Sequence, residues 1–569
     1  MKNKPFSNIF KIQHAGILFV AILLISTSLV SSTIMKFGSD GDGVTWSSTY
    51  GDTADYVVYK EGSTYYSKNS STGQIQSSSN ATTIIQNCID AIETENNGLG
   101  GMIFIREGNY SIDYNIVPTA NITIIGVGKG SVLYASNNVN IIYYQGGVFP
   151  DDRGFHVDKI CFKSSQSTHT SAAGIKLDRV HHFSITECWF ENLFEGIYLF
   201  ANVGDVDNGW IKGNHFYKIF NHCIRGTSSC EENVIVENII DNYGGVRGIS
   251  YSGSHSTISC NTIEEVWGTG VGSGVGDGMY ITGSENTVTG NTIRECGRYN
   301  LVAAGTNNVY NANIITDGHG TDRAVSFEGS GHVFSYNMIV DNDGIGMCCI
   351  SGSNFTLAGN RVLNNKQGIL LTTADDVIVS NNIIADSTTG VGLSGTGERV
   401  VIEGNNIRGN QLEGMYVGFQ NSTICNNVIS SNGAEGIQTT TAAKYLTIYD
   451  NILYDNDEGI DNYGTYSIIR GNDLRQETTK FTEHGNYSTI FENNGYVTEN
   501  GGANTSTDDG GTITHGLSST PTYVVCTCNE SAIVAVTAKD GTDFTVSIKD
   551  HAGNAVNGVT IFWRAFYEP

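Results

Sequence analysis

"GMYITGSENTVTGNTI", Gly278 to Ile293, decides the fold because its plan recurs along the chain. "GILLTTADDVIVSNNII" (Gly368 to Ile384) and "GMYVGFQNSTICNNVI" (Gly414 to Ile429) follow the same order. Each runs Gly, apolar, any, apolar, a few polar residues, and then an apolar-rich stretch closing on Asn-x-Ile. The anchoring Asn falls at Asn214, Asn238, Asn261, Asn291, Asn313, Asn337, Asn360, Asn382, Asn405, Asn427, Asn451 and Asn472, and Cys188 holds the equivalent place one step earlier. A period of about 23 residues sustained this long is the signature of a solenoid. Within each unit, short apolar alternations are separated by Gly, Asn, Asp and Ser, which is strand periodicity with turn chemistry. Three short strands and three turns use up one unit, and the chain returns one strand spacing higher, about 4.8 Å. The pattern predicts an all-β, right-handed parallel β-helix of about 12–14 coils. The Asn column reads as structural, each amide bonding backbone groups of its own and neighbouring coils. Cys188, small and easily buried, fits the same column.

Working outward from the repeat, residues 1–33 read as a signal peptide or an N-terminal anchor. Lys2, Lys4 and Lys11 precede an apolar run from Ala15 to Val30, followed by Ser31, Ser32 and Thr33. The expected location is extracellular or at the cell surface. Residues 34–79 form an N-terminal extension, and residues 80–494 the β-helix. The helix pattern from Thr82 to Glu95 puts Ile84, Ile85, Cys88, Ile89 and Ile92 on one face, to plug the first coil, with Thr82 or Thr83 as its cap. A Gly/Asn/Thr/Asp-rich linker spans 495–510. Residues 511–569 read as a small C-terminal β-sandwich module of five or six strands.

Composition narrows the function. The chain has 57 acidic and 31 basic residues, net charge −26, and no basic run, which argues against nucleic acid as a partner. Its 12 Cys are scattered without a CxxC pair, so neither a disulfide scaffold nor a zinc ribbon is expected. With 7 Met and 13 dispersed His, a metal-delivery role lacks its clusters.

The opening "ATTIIQNCIDAIETENNGLGGMIFIREGNYSI", followed by "NITIIGVGKGSVL", resembles the start of polygalacturonase- and rhamnogalacturonase-like β-helices and of tailspike-like proteins. Residues 80 to about 475 are thus similar to the pectate lyase-like right-handed parallel β-helix superfamily. The resemblance implies the fold, while its chemistry stays open, because the superfamily holds lyases, hydrolases, epimerases and non-enzymes. It also leaves a homotrimer as one candidate assembly. "FTVSIKD", with "GVTIFWRAF" after it, resembles the H-type lectin pattern.

In that superfamily ligands lie along the exposed face of one sheet, and here the Gly-apolar step of each coil marks it. Tyr280 and Tyr416 project from it to stack on sugar rings, and Glu413 and Asn300 stand at strand starts to bond hydroxyls. One coil is abnormal: "VWGTGVGSGVGDG", Val266 to Gly278, inserts Gly-rich sequence between Trp267 and Asp277. Inserts in solenoids become loops on the functional face. The expected register stacks Arg247, Asp277, Asn300 and Arg323 about 5 Å apart. If the protein is an enzyme, Asp277 is the acid or a Ca²⁺ ligand, Arg323 or Arg247 holds a uronate carboxylate or abstracts a proton, and His319 assists. Against the polygalacturonase pattern, Gly276-Asp277-Gly278 and Gly318-His319-Gly320 match loosely. The Asp-Asp position holds Tyr299-Asn300, and no Arg-Ile-Lys follows. Inverting hydrolysis needs two carboxylates about 6.5–9.5 Å apart, so that mechanism is disfavoured. The sequence therefore supports a polysaccharide- or glycan-binding β-helix first. A polysaccharide lyase or hydrolase acting on uronate-containing glycans, with Ca²⁺ as the one cofactor left open, is the alternative.

Overall fold

The computed structural model describes residues 53–118, 121–146, 154–164, 172–202, 204–242, 244–268 and 276–567. The expected leader, 1–33, the start of the extension and residues 269–275 of the insertion lie outside the described residues. Among the described residues no helix is long and apolar enough to cross a membrane.

The repeat winds into three parallel sheets, one strand per sheet per coil. Register is kept from coil to coil. In the third sheet Ile249, Met279, Leu301, Val325, Met347 and Ile369 lie directly above one another. All point inward and are buried in one continuous apolar core. Stacked rings fill it in the early coils, with Phe162, Phe190 and Phe216 at centroid spacings of 5.0 and 4.8 Å. The second sheet has 16 strands, from Gly108–Ile112 to Asp473–Gln476. The solenoid therefore has about 16 coils, more than the expected 12–14. The coils before Cys188 carry no anchoring Asn and so escape a count based on it.

The Asn column is a ladder. Asn291 accepts from the Asn261 backbone N–H and side-chain amide at 3.0 and 2.9 Å. Its own amide donates to Ile258 O and Asn313 Oδ1 at 2.9 and 3.0 Å. Cys188 is in line, its backbone N–H donating to Asn214 Oδ1 at 3.0 Å. The ladder runs one step past Asn472, to Asn493. A second Asn column, including Asn410, Asn432 and Asn456, repeats the device at another turn.

Both ends are covered. The helix Ala81–Glu95 buries Ile84, Ile85, Cys88, Ile89 and Ile92, as its pattern predicts. Its cap is Asn80, whose side chain accepts from Thr83 N at 3.0 Å, not Thr82 or Thr83. The buried Thr82 hydroxyl instead accepts from the Asp113 N–H. In the N-terminal extension, Tyr56–Glu61, Thr64–Asn69 and Ile75–Ser78 form an antiparallel meander, and Tyr56–Glu61 pairs in parallel with Gly101–Ile105. At the other end, the stretch expected as a linker contains a strand, Glu499–Thr507, paired with Val559–Phe566. It is almost wholly exposed, so its pairing comes from the backbone and left no apolar alternation to read. Two three-stranded sheets then enclose a small core around Phe544, Ile548, Ile561 and Trp563.

Candidate functional site

On the third sheet, alternate residues point outward. Successive coils place Tyr143, Lys176, Tyr198, Arg225, Ser250, Tyr280 and Val302 in one outward column. Three positions earlier, at the strand starts, His222, Arg247 and Asp277 are stacked, with Glu195 one coil before and Tyr299 and Arg323 after. A Gly separates the two columns in most coils because the next coil's backbone passes close by. A Cβ at Gly196 would stand 2.4 Å from Cys223 O.

Cations and rings interleave along this face. Lys176 Nζ lies 5.2 and 5.4 Å from the Tyr143 and Tyr198 ring centroids. The Arg225 guanidinium lies 4.6 Å from Tyr198 and that of Arg247 3.7 Å from Tyr280. Arg298 stands 4.2 Å from Tyr299. The carboxylates beneath them are buried. Glu195, 3% exposed, accepts from Asn221 Nδ2 at 2.8 Å, Arg225 Nη1 at 3.1 Å and His222 Nδ1 at 3.3 Å. Burial opposes its charge, but His222 and Arg225 outweigh that and hold its carboxyl below the ordinary carboxylate value. Burial pushes the His222 imidazole down, Glu195 opposing. Burial thereby favours the neutral ring, and with the Glu195 carboxylate facing Nδ1 the nitrogen left over is Nε2. His222, Arg225, Arg247, Ser250 and Tyr280 line a cleft of about 320 Å³. A neutral imidazole, two guanidiniums and a phenol can hold an anionic sugar and move a proton on it.

Asp277 is not an exposed acid. It is fully buried, and Arg298 holds both its oxygens while Arg247 Nε adds a contact at 3.2 Å. Burial raises its pKa and the arginines oppose the rise. With both oxygens taken by guanidinium N–H groups, neither the acid role nor the Ca²⁺ role fits. No group of three or more His, Cys, Asp or Glu among the described residues is placed to hold a metal ion. Arg247 and Asp277 are brought together as expected. Arg323 is not with them: it pairs with Asp322 at 3.0 Å. Asn300 is buried, its amide donating to Ile293 O and Thr316 O. It fills the slot that Gly occupies in other coils, so Tyr299 stands at the strand start instead. His319 stacks on Trp267 at 4.8 Å and sits 3.5 Å from Asp343, on the turn before the sheet. Tyr416 shares the outward column with Tyr280 but lies six coils further on and is 43% exposed. Glu413 precedes it, and Glu435, Glu458 and Asp461 follow in the next coils, so the face changes sign along its length.

His222, Arg225, Arg298 and Lys176 are the residues that motif reading missed. The coil "HCIRG", His222 to Gly226, has Cys223 where its neighbours have Gly, so the Gly-apolar signal skips it. Aligning Cys223 with Gly196 and Gly248 would have exposed both His222 and Arg225. Arg298 lies before the strand, on a turn whose position no repeat pattern sets.

No curated protein sequence matches the chain. Among solved structures it is similar to the A-module of the Azotobacter vinelandii mannuronan C-5 epimerase AlgE6, at 13% identity over 72% of this chain and 95% of that one, TM-score 0.34. It is also similar to the tailspike protein of E. coli bacteriophage HK620 in complex with pentasaccharide, at 12% identity over 86% and 90%, TM-score 0.38. A third is the periplasmic alginate epimerase AlgG, at 13% identity over 64% and 88%, TM-score 0.31. Residues 247–384 and 323–474 match the family model described as "Right handed beta helix region". Together with the coil register, that match establishes the fold as a right-handed parallel β-helix.

Proposed function

We propose that the N-terminal half of the third sheet's exposed face binds an anionic polysaccharide, with the protein acting outside the cell or at its surface. The supporting observation is a contrast of charge. A chain of net charge −26 sets Lys176, Arg225, Arg247, Arg298 and Arg323 on neighbouring coils, interleaved with Tyr rings. Their main carboxylate partners, Glu195 and Asp277, are buried beneath them. Arginine forks match carboxylates and sulfates in two-point contacts, and tyrosine faces stack on sugar rings. The leader-like segment before Thr33 supports the location. Affinity electrophoresis through polygalacturonate, alginate and dextran tests this reading. The first two should retard the protein and dextran should not, and Arg225→Ala should weaken retardation about tenfold, or about 1.4 kcal/mol. Equal retardation by dextran would overturn the reading.

Cleavage is the second reading, favoured by His222, which lines the cleft with two arginines and is held from behind by the buried Glu195. His222 Nε2 can take the proton beside a uronate carboxylate that Arg225 and Arg247 neutralise, the C–O bond to the neighbouring sugar breaking as the C=C bond forms and the departing oxygen taking a proton from water. Release of unsaturated uronate ends, abolished by His222→Ala with binding retained, tests it.

A further inference from the structure

We infer that the turn at the C-terminal end of the solenoid is a second binding site, for neutral glycans. The inference goes beyond the cationic face proposed above and uses none of its residues. In the first sheet, whose later strands run from Thr356–Ala358 to Thr489–Phe491, the residue two positions before each strand takes the left-handed conformation. In successive coils Asn354, Asp376, Arg399 and Asn421 occupy this place, at φ of 59°, 56°, 55° and 49°. Earlier coils place Glu232, His255 and Glu285 there as well, so the conformation belongs to the turn and its side chain varies freely from coil to coil. In the last three coils the same place holds Tyr445, Tyr466 and Tyr487, at φ of 54°, 57° and 64°. Their rings stack at 5.3 and 5.1 Å, with interplanar angles of 19° and 11°. None is buried: they are 55%, 47% and 77% exposed.

Three aromatic residues in a column, held out into water, have no use in packing the core. A second stack lies on the same turn, with Tyr463 and His484 at 4.5 Å and 16°. Tyr487 and His484 are the last rings of their two stacks, so no further coil covers their outer faces. His484 is about half exposed and 3.6 Å from Asp461. The last coils thus present two open ring faces, three residues apart, edged by carboxylates. Ring faces take the C–H face of a sugar, and carboxylates accept from its hydroxyls. Asp461, Glu458 and Glu483 repel anionic sugars, which selects a neutral glycan.

The test uses the full-length chain with cellohexaose, maltohexaose and laminarihexaose in titration calorimetry, beside Tyr487→Asn and Tyr487→Phe. At least one neutral hexasaccharide should bind. Tyr487→Asn, which installs the residue other coils use, should weaken that binding at least tenfold without lowering the melting temperature. Tyr487→Phe should retain it, and both variants should bind polygalacturonate as the parent does. The proposal is overturned if no neutral hexasaccharide binds, or if Tyr487→Asn binds as the parent does. It is also overturned if binding is lost together with a lowered melting temperature, because the rings would then be structural.

Discussion

Arg298 grips Asp277 by both oxygens, Nε to Oδ1 at 2.7 Å and Nη2 to Oδ2 at 2.9 Å, beneath a sheet face that Asp277 itself never reaches. Removing one partner of a buried ion pair leaves the other uncompensated. Asp277→Asn should therefore destabilise the protein by about 3 kcal/mol, measured by denaturant unfolding. A loss below about 0.5 kcal/mol, the scale of a surface substitution, would contradict this placement.

The Asn ladder predicts a contrast within one column. Asn337→Ala strands the backbone N–H and side-chain amide of Asn313, which donate to Asn337 Oδ1, and removes the bonds that the Asn337 amide donates to Tyr310 O and Asn360 Oδ1. Each buried polar group left unpaired costs about 1–3 kcal/mol, so a total near 3 kcal/mol is expected. Cys188→Ala keeps its backbone bond to Asn214 and should cost only about 1 kcal/mol. Equal losses in the two variants would show that the amides are not what holds the column.

Position along the face should separate the two tyrosines. Tyr280 lies under Arg247 in the cleft, whereas Tyr416 stands in the acidic half. Tyr280→Ala should weaken polygalacturonate binding about tenfold, and Tyr416→Ala less than about twofold, with both folds intact. Binding should also fall as salt rises toward about 1 M, where the screening length shrinks to about 3 Å. Salt-independent binding, or a larger effect at Tyr416, would move the site.

Glu195 makes stability depend on pH. Its folded pKa lies below the ordinary value of 4.5, so its contribution is present above 4.5 and is lost as pH falls through the folded value. The gap in melting temperature between the parent and Glu195→Gln should be full near pH 7 and close progressively below 4.5. A gap that persists unchanged to about pH 2 would mean that Glu195 is not ionised in the fold.

The sequence by itself determined the solenoid, because every coil repeats the same strand period and the same Asn, and a stacked ladder forces both. It also determined which sheet face carries Tyr198, Ser250, Tyr280 and Tyr416, since side chains alternate along a strand. Only the tertiary structure decided the site. Arg298 reaches Asp277 from a turn, and His222 meets Glu195 from the neighbouring coil, 27 residues away in sequence. No local pattern encodes either meeting. Burial was equally illegible, because a strand start reads the same whether its carboxyl faces water, as Glu413 partly does, or is closed over by two arginines, as Asp277 is. That difference turns on how neighbouring turns fold across the sheet, which is a property of the stacked coils and not of any one of them.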